Sequence, residues 1–194
     1  MTAMTEATLA AAERVAELLR AAGIEAALIG AAALAAHGYP RSTDDLDLAT
    51  GVEPQRLDAV AGELRREGFA VELTEPDGDD PLGGVMRVVR DGIDPIEVVN
   101  FCNPPAGGNP ALAAMALRDA TPVREGASLR VVTLAHLVVF KLYAGGRGDK
   151  NDVLELLSRN PEADLNALRE LCRRFGLDRR FEAWLGELRP TDGA

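Results

Sequence analysis

Residues 28–48, LIGAAALAAHGYPRSTDDLDL, constrain this chain more than any other stretch. They leave a short apolar run (25–29), pass through Gly30 into an alanine-rich segment that Gly38-Tyr39-Pro40 stops, and arrive at the pair Asp45 and Asp47. A glycine-bounded apolar run of that length predicts a buried strand, and residues 31–36 favour helix by propensity. The alternation over 45–49 is that of a second strand, with Asp45, Asp47 and Ala49 on one face and Leu46 and Leu48 on the other. Residues i and i+2 of a strand lie about 7 Å apart along one face. Two carboxylates so placed can converge on one cation.

The rest of the chain supplies support for that pair. Residues 5–22 have helical spacing, with Leu9, Val15, Leu18 and Leu19 offered to one face, and Gly23 ends the pattern. Residues 54–67 predict a helix and 69–73 a strand. The acidic, turn-rich segment 75–84 reads as a surface loop whose carboxylates keep no ligand spacing. Residues 85–90 and 96–99 flank the turn DGIDP and predict a hairpin. A Pro/Gly/Asn-rich connection (101–110), a short helix (111–117) and one or two short strands within 122–132 follow. Helices are then expected over 133–144, 149–158, 164–175 and 178–188, with a frayed tail after Pro190. The pattern predicts an α+β fold: a mixed β-sheet flanked by helices over 1–132, and a C-terminal helical bundle over 133–190 packed on it.

With 31 acidic against 21 basic residues and a formal charge of -10, the chain is ill suited to loose binding of nucleic acid, which depends on counterion release onto basic surface. The pairs Arg65-Arg66, Arg173-Arg174 and Arg179-Arg180 read better as solvated helix faces than as a basic patch. No apolar run approaches the ~18 residues that span a bilayer. The N-terminus carries acids where a secretory signal carries bases, so a cytoplasmic protein with no membrane partner is expected. Cys102 and Cys172 have no CxxC or histidine context and are expected to be buried thiols.

Phosphoryl and nucleotidyl transfer use divalent ions bridged by carboxylates, two from one strand face and a third from a neighbour. Glu97, the one charge in the run Ile96-Glu97-Val98-Val99, is the candidate third. The turn at Gly30-Ala31 offers backbone N–H groups to phosphate oxygens, and only small residues allow that approach. Lys141 falls on the stripe of Leu134, Leu137 and Val138 in a helix apolar nearly all round, so its ammonium needs a partner. That partner is a nucleotide triphosphate, or Asp149 or Asp152 of the next helix, or both together. His37 and His136 have no placed nucleophile beside them and read as packing or capping groups, and Trp184 as core of the last helix.

The order strand, Gly30, short helix, Gly38, Arg41, Thr43, Asp45, Asp47 resembles the nucleotidyltransferase superfamily of DNA polymerase beta-like enzymes, in which an Arg-x-Thr-x-Asp-x-Asp string leads into the catalytic strand. The likeness is closest to the small bacterial branch that includes abortive-infection and toxin–antitoxin nucleotidyltransferases. It covers residues 24–100 well and the surroundings of Lys141 loosely. It implies that Asp45, Asp47 and Glu97 hold Mg²⁺ or Mn²⁺ and carry catalysis. Gly30, Ala31, Arg41, Thr43 and Lys141 would bind the nucleotide. The implied reaction moves an NMP from an NTP to an acceptor hydroxyl on RNA, a protein or a small molecule such as an aminoglycoside; an antitoxin is a further implied partner. An inactive nucleotide- or partner-binding module of the same fold is the alternative. Two positions depart from the family pattern: Ala31 stands where Ser or Gly is usual, and Glu97 where Asp is more frequent.

Overall fold

Capping residues and glycines cut the chain into its elements. In the computed structural model, which describes residues 5–76, 82–103 and 110–188, α1 (Glu6–Ala21) opens on Thr5, whose hydroxyl accepts the Thr8 N–H. β1 (Ala26–Leu28), α2 (Gly30–Ala36), β2 (Leu46–Thr50), α3 (Arg56–Arg66), β3 (Ala70–Thr74), β4 (Val85–Val89) and β5 (Ile96–Asn100) follow. Next come α4 (Pro110–Asp119), β6 (Thr121–Pro122) and β7 (Arg130–Val131). The chain continues as α5 (Leu134–Ala144), α6 (Arg147–Arg159), α7 (Leu165–Arg174) and α8 (Asp178–Leu185). Thr133 caps α5 and Asp164 caps α7 in the same way as Thr5, while Gly145, at φ 73°, closes α5 in the left-handed conformation.

The strands form one mixed sheet in the order β3-β4-β5-β2-β1-β7-β6. β2 lies at its centre, antiparallel to β1 and parallel to β5; β3, β4 and β5 form an antiparallel meander. Register and pleat sort the side chains into two faces. Leu46, Ile96 and Val88 fall in one row, Leu48, Val98 and Met86 in another, and all six are fully buried. α1 and α3 touch each other and pack on β1 and on β3 and β4 respectively. On the opposite face the matching row reads Glu72, Arg87, Glu97, Asp47 across four strands. The α+β reading therefore holds, and the sheet has one apolar and one chemically equipped face.

Several local expectations need correction. Asp45 precedes β2 instead of opening it, because the strand starts where Leu46 N–H donates to the Pro95 carbonyl, 2.9 Å away. The buried stripe of α1 is Thr8, Ala11, Ala12, Val15, Ala16 and Leu19; Leu9 is exposed. Thr8 takes the inward place because its hydroxyl finds Asp94, donating to Oδ2 at 2.9 Å and accepting the Asp94 N–H at 3.0 Å. Cys172 is buried but Cys102 is only half-buried. Phe181, not Trp184, is the fully buried aromatic of α8. Residues 77–81 of the expected acidic loop, 104–109 of the expected connection and the tail beyond 188 lie outside the described residues. Among the described residues no helix is long and apolar enough to cross a membrane.

Candidate active site

Parallel pairing of β2 with β5 sets Asp47 beside Glu97 in register. Asp45, one residue before the strand, turns its carboxylate to the same place, steadied by the Thr43 hydroxyl, which donates to Oδ1 at 2.7 Å. Asp45, Asp47 and Glu97 each bring a carboxylate oxygen to within 4.8 Å of the others. Among the described residues no other trio of potential ligands gathers so closely. Three hard oxygen donors in that space fit Mg²⁺ or Mn²⁺ and do not resemble a zinc or copper set.

Gly30 is fixed by one of these carboxylates, that of Asp47. It opens α2 at φ 58°, and a Cβ there would lie 2.9 Å from the Asp47 Cγ. The turn is stitched to the strand by the Ile29 N–H, which donates to the Asp47 carbonyl at 3.0 Å. Any side chain at position 30 would strain the backbone and displace Asp47. Ala31 is buried and does not line the cleft. The missing hydroxyl at that position thus falls on a side chain directed inward.

Electrostatics set Asp47 apart. Burial, reinforced by the neighbouring Asp45 and Glu97 carboxylates and opposed by Lys141 and Arg41, pushes it up to about 6. Glu97 is balanced differently: Arg87 Nη1 donates to its Oε1 at 2.6 Å.

A cavity of about 430 Å³ extends from Gly30 and Asp47 to α5. Its walls are Ile29, Val99, Phe101, Leu137 and Phe140, with Lys141 and Asp149 as charged members; the Phe101 and Phe140 ring centroids are 4.9 Å apart. Lys141 Nζ lies 2.9 Å from Asp149 Oδ1 and 2.8 Å from Asp152 Oδ2, so both expected protein partners are engaged at once. Burial works against the ammonium, but those two hydrogen bonds outweigh it and leave the lysine above its ordinary value. Arg41 reaches the same centre, with Nε 3.3 Å from Asp152 Oδ1.

The histidines are structural. His37 Nε2 meets the Val132 carbonyl at 2.8 Å, and His136 Nδ1 meets the Thr133 hydroxyl at 2.9 Å; burial pulls the His136 imidazole below its usual range. Two residues escaped the sequence reading. Arg87 is the one charge in VMRVV, as Glu97 is in IEVV, a symmetry that could have paired them. Asn100 is fully buried at the end of β5. Its Oδ1 accepts the Val52 and Cys102 N–H groups, each at 3.1 Å. Its Nδ2 donates to the Val52 and Gly83 carbonyls at 2.8 and 3.3 Å.

No protein-family model and no curated protein sequence matches the chain. Solved structures do. The crystal structure of ANT(2″)-Ia in complex with adenylyl-2″-tobramycin superimposes with a TM-score of 0.53 at 16% identity, covering 91% of this chain and 99% of that one. The solution structure of the antibiotic-resistance factor ANT(2″)-Ia gives 0.52 at 14% identity, covering 95% and 96%. An antigenic nucleotidyltransferase-like protein from Paracoccidioides brasiliensis gives 0.51 at 18% identity, covering 94% of each chain. At these identities the likeness is one of fold.

Proposed function

We propose that this chain, whose fold is that of the nucleotidyltransferases, transfers an NMP from an NTP to an acceptor hydroxyl with a divalent cation. The observation that carries this reading is the meeting of Asp45, Asp47 and Glu97 within 4.8 Å, directly under a glycine that no larger residue could replace. In the reaction the acceptor oxygen forms a bond to the α-phosphorus, the α–β phosphoanhydride bond breaks and pyrophosphate leaves. When bound, Mg²⁺ or Mn²⁺ would neutralise phosphate charge and lower the cost of ionising the acceptor hydroxyl. The three carboxylates would hold that cation. Glu97 would complete the cation site and help the acceptor hydroxyl lose its proton, while its Oε1 stays bonded to Arg87. Gly30 lets the triphosphate approach the backbone closely, Lys141 supplies positive charge at the cavity wall, and the apolar rings of Phe101 and Phe140 suit a nucleobase. Arg41 and Thr43 act at one remove, through Asp152 and Asp45.

A small-molecule acceptor is the second reading. It is favoured by the end-to-end match to the structure bound to adenylyl-2″-tobramycin and by a net charge of -10, which attracts cationic acceptors.

Calorimetry of NTP binding with and without Mg²⁺, on the wild type and the double variant Asp45→Ala, Asp47→Ala, tests the proposal. Mg²⁺-dependent binding that the double variant loses is the expected result. Failure of the folded wild type to bind any NTP would move the reading to an inactive partner-binding module.

A further inference from the structure

We infer that Arg87 is a positioning residue for the third carboxylate: it takes one oxygen of Glu97 and so presents the other to the cation as a single, fixed ligand. The inference rests on the proposed cation site and goes beyond it. The third position carries Glu, which has one more methylene and one more rotatable bond than Asp. A longer carboxylate on a partly exposed strand face loses more rotameric freedom when it must hold one place. β4 supplies the restraint. Its register puts Arg87 directly between Glu72 of β3 and Glu97 of β5, and its Nη1 is given to Glu97 Oε1 at 2.6 Å. Glu97 also brings a carboxylate oxygen to within 4.8 Å of one from Asp45 and one from Asp47, so the same side chain meets the arginine and the acidic cluster. The extra reach of Glu and the arginine on the neighbouring strand thus form one device: Asp at position 97 would be too short to meet both the arginine and the cation.

Charge and position predict opposite signs when Arg87 is removed, and this makes the inference testable. Arg87 is a positive charge close to a cation site, so by Coulomb's law alone its loss tightens cation binding. As a residue that orients a ligand, its loss weakens binding, by about tenfold on the scale of other residues that orient metal ligands.

The experiment is Mn²⁺ binding by calorimetry in the absence of nucleotide. It compares the wild type, Arg87→Met, Arg87→Lys, Glu97→Asp and the double variant Arg87→Met, Glu97→Asp, each checked for folding by circular dichroism. The Arg87 side chain is 45% exposed, so its replacement leaves the core untouched. The expected results are an Mn²⁺ affinity lowered about tenfold in Arg87→Met, partly restored in Arg87→Lys, and no further loss when Arg87→Met is added to Glu97→Asp. Affinity unchanged or raised in Arg87→Met, or losses that add in the double variant, overturns the role of Arg87 while leaving the cation site standing. A wild type that binds no Mn²⁺, or binds it equally after Asp45→Ala, Asp47→Ala, overturns this inference, while the proposed function stands or falls separately on NTP binding.

Discussion

Two charged clusters face the same cleft, and they are built on opposite plans. On the α5–α6 side, Lys141 and Arg41 meet Asp149 and Asp152, two cations for two anions, with contacts of 2.8–3.3 Å. On the sheet side, Asp45, Asp47 and Glu97 crowd together with Arg87 as the one cation paired to them in the described structure. The first cluster is complete within the chain. The second carries surplus negative charge, and in Asp47 that charge adds to the effect of burial, which together raise it to about 6. Partly buried charge persists in a fold when it is paired, and the sheet-side cluster is the one whose carboxylates outnumber their partners among the described residues.

The contrast can be broken first at Lys141. Lys141→Met leaves Asp152, whose side chain is 6% exposed, with Arg41 alone, and should lower unfolding stability by about 3 kcal/mol, read as a shift in urea midpoint. An unchanged midpoint would mean that the balanced cluster does not hold the helices. Next comes Gly30→Ala, which forces a left-handed alanine against the Asp47 carboxylate. It should cost about 2 kcal/mol or more and weaken Mn²⁺ binding as well. Gly38→Ala is its control. Gly38 also has positive φ, but nothing lies within 4 Å of the added methyl, so only the backbone cost of about 1 kcal/mol should remain, with cation binding intact.

The remaining effect has the opposite sign. Asp47 holds a proton in the fold up to about pH 6 that the unfolded chain gives up near its ordinary carboxylate value. Its contribution to stability is therefore fully present below that value and is lost as pH rises through about 6. Asp47→Asn should stabilise the cation-free protein at pH 7 by roughly 1–2 kcal/mol, allowing for partial exposure, while abolishing Mn²⁺ binding. In the wild type, protons and cation compete for the same carboxylate. Cation affinity should fall by up to about tenfold per unit as pH drops below about 6. A flat profile between pH 5 and 7 would show that Asp47 ionises independently of the cluster.

The contrast also marks how far the sequence could be read. Alternation within residues 46–49 and the lone charge in IEVV were enough to nominate Asp47 and Glu97, because period two assigns faces without knowledge of partners, whereas Asp45 reaches the same place from just before the strand. Lys141 was readable as a cation in need of a counterion, since its helix is apolar nearly all round. The partner of Glu97 was not, because cross-strand register depends on the tight turn: here Arg87 pairs with Glu97 about Gly92, one residue from the centre of DGIDP. Leu9 and Thr8 were exchanged for a similar reason. Hydrophobicity alone favours burying the leucine, and only the distant Asp94 makes the threonine an acceptable core residue.

Asn100 offers a different lesson, one of chemical ageing. Its side chain donates to two carbonyl oxygens and accepts from two N–H groups, so every hydrogen-bonding position of the amide is occupied in one orientation. Hydrolysis to aspartate would turn the donor end into a carboxylate facing the Val52 and Gly83 carbonyls in a place that water does not reach. Within the folded molecule this amide is shielded. A chain that stays unfolded long enough to deamidate there would lose the knot joining the exits of β2 and β5 to the entry of β4. The wall that Phe101 contributes to the cleft would lose its anchor at the same time.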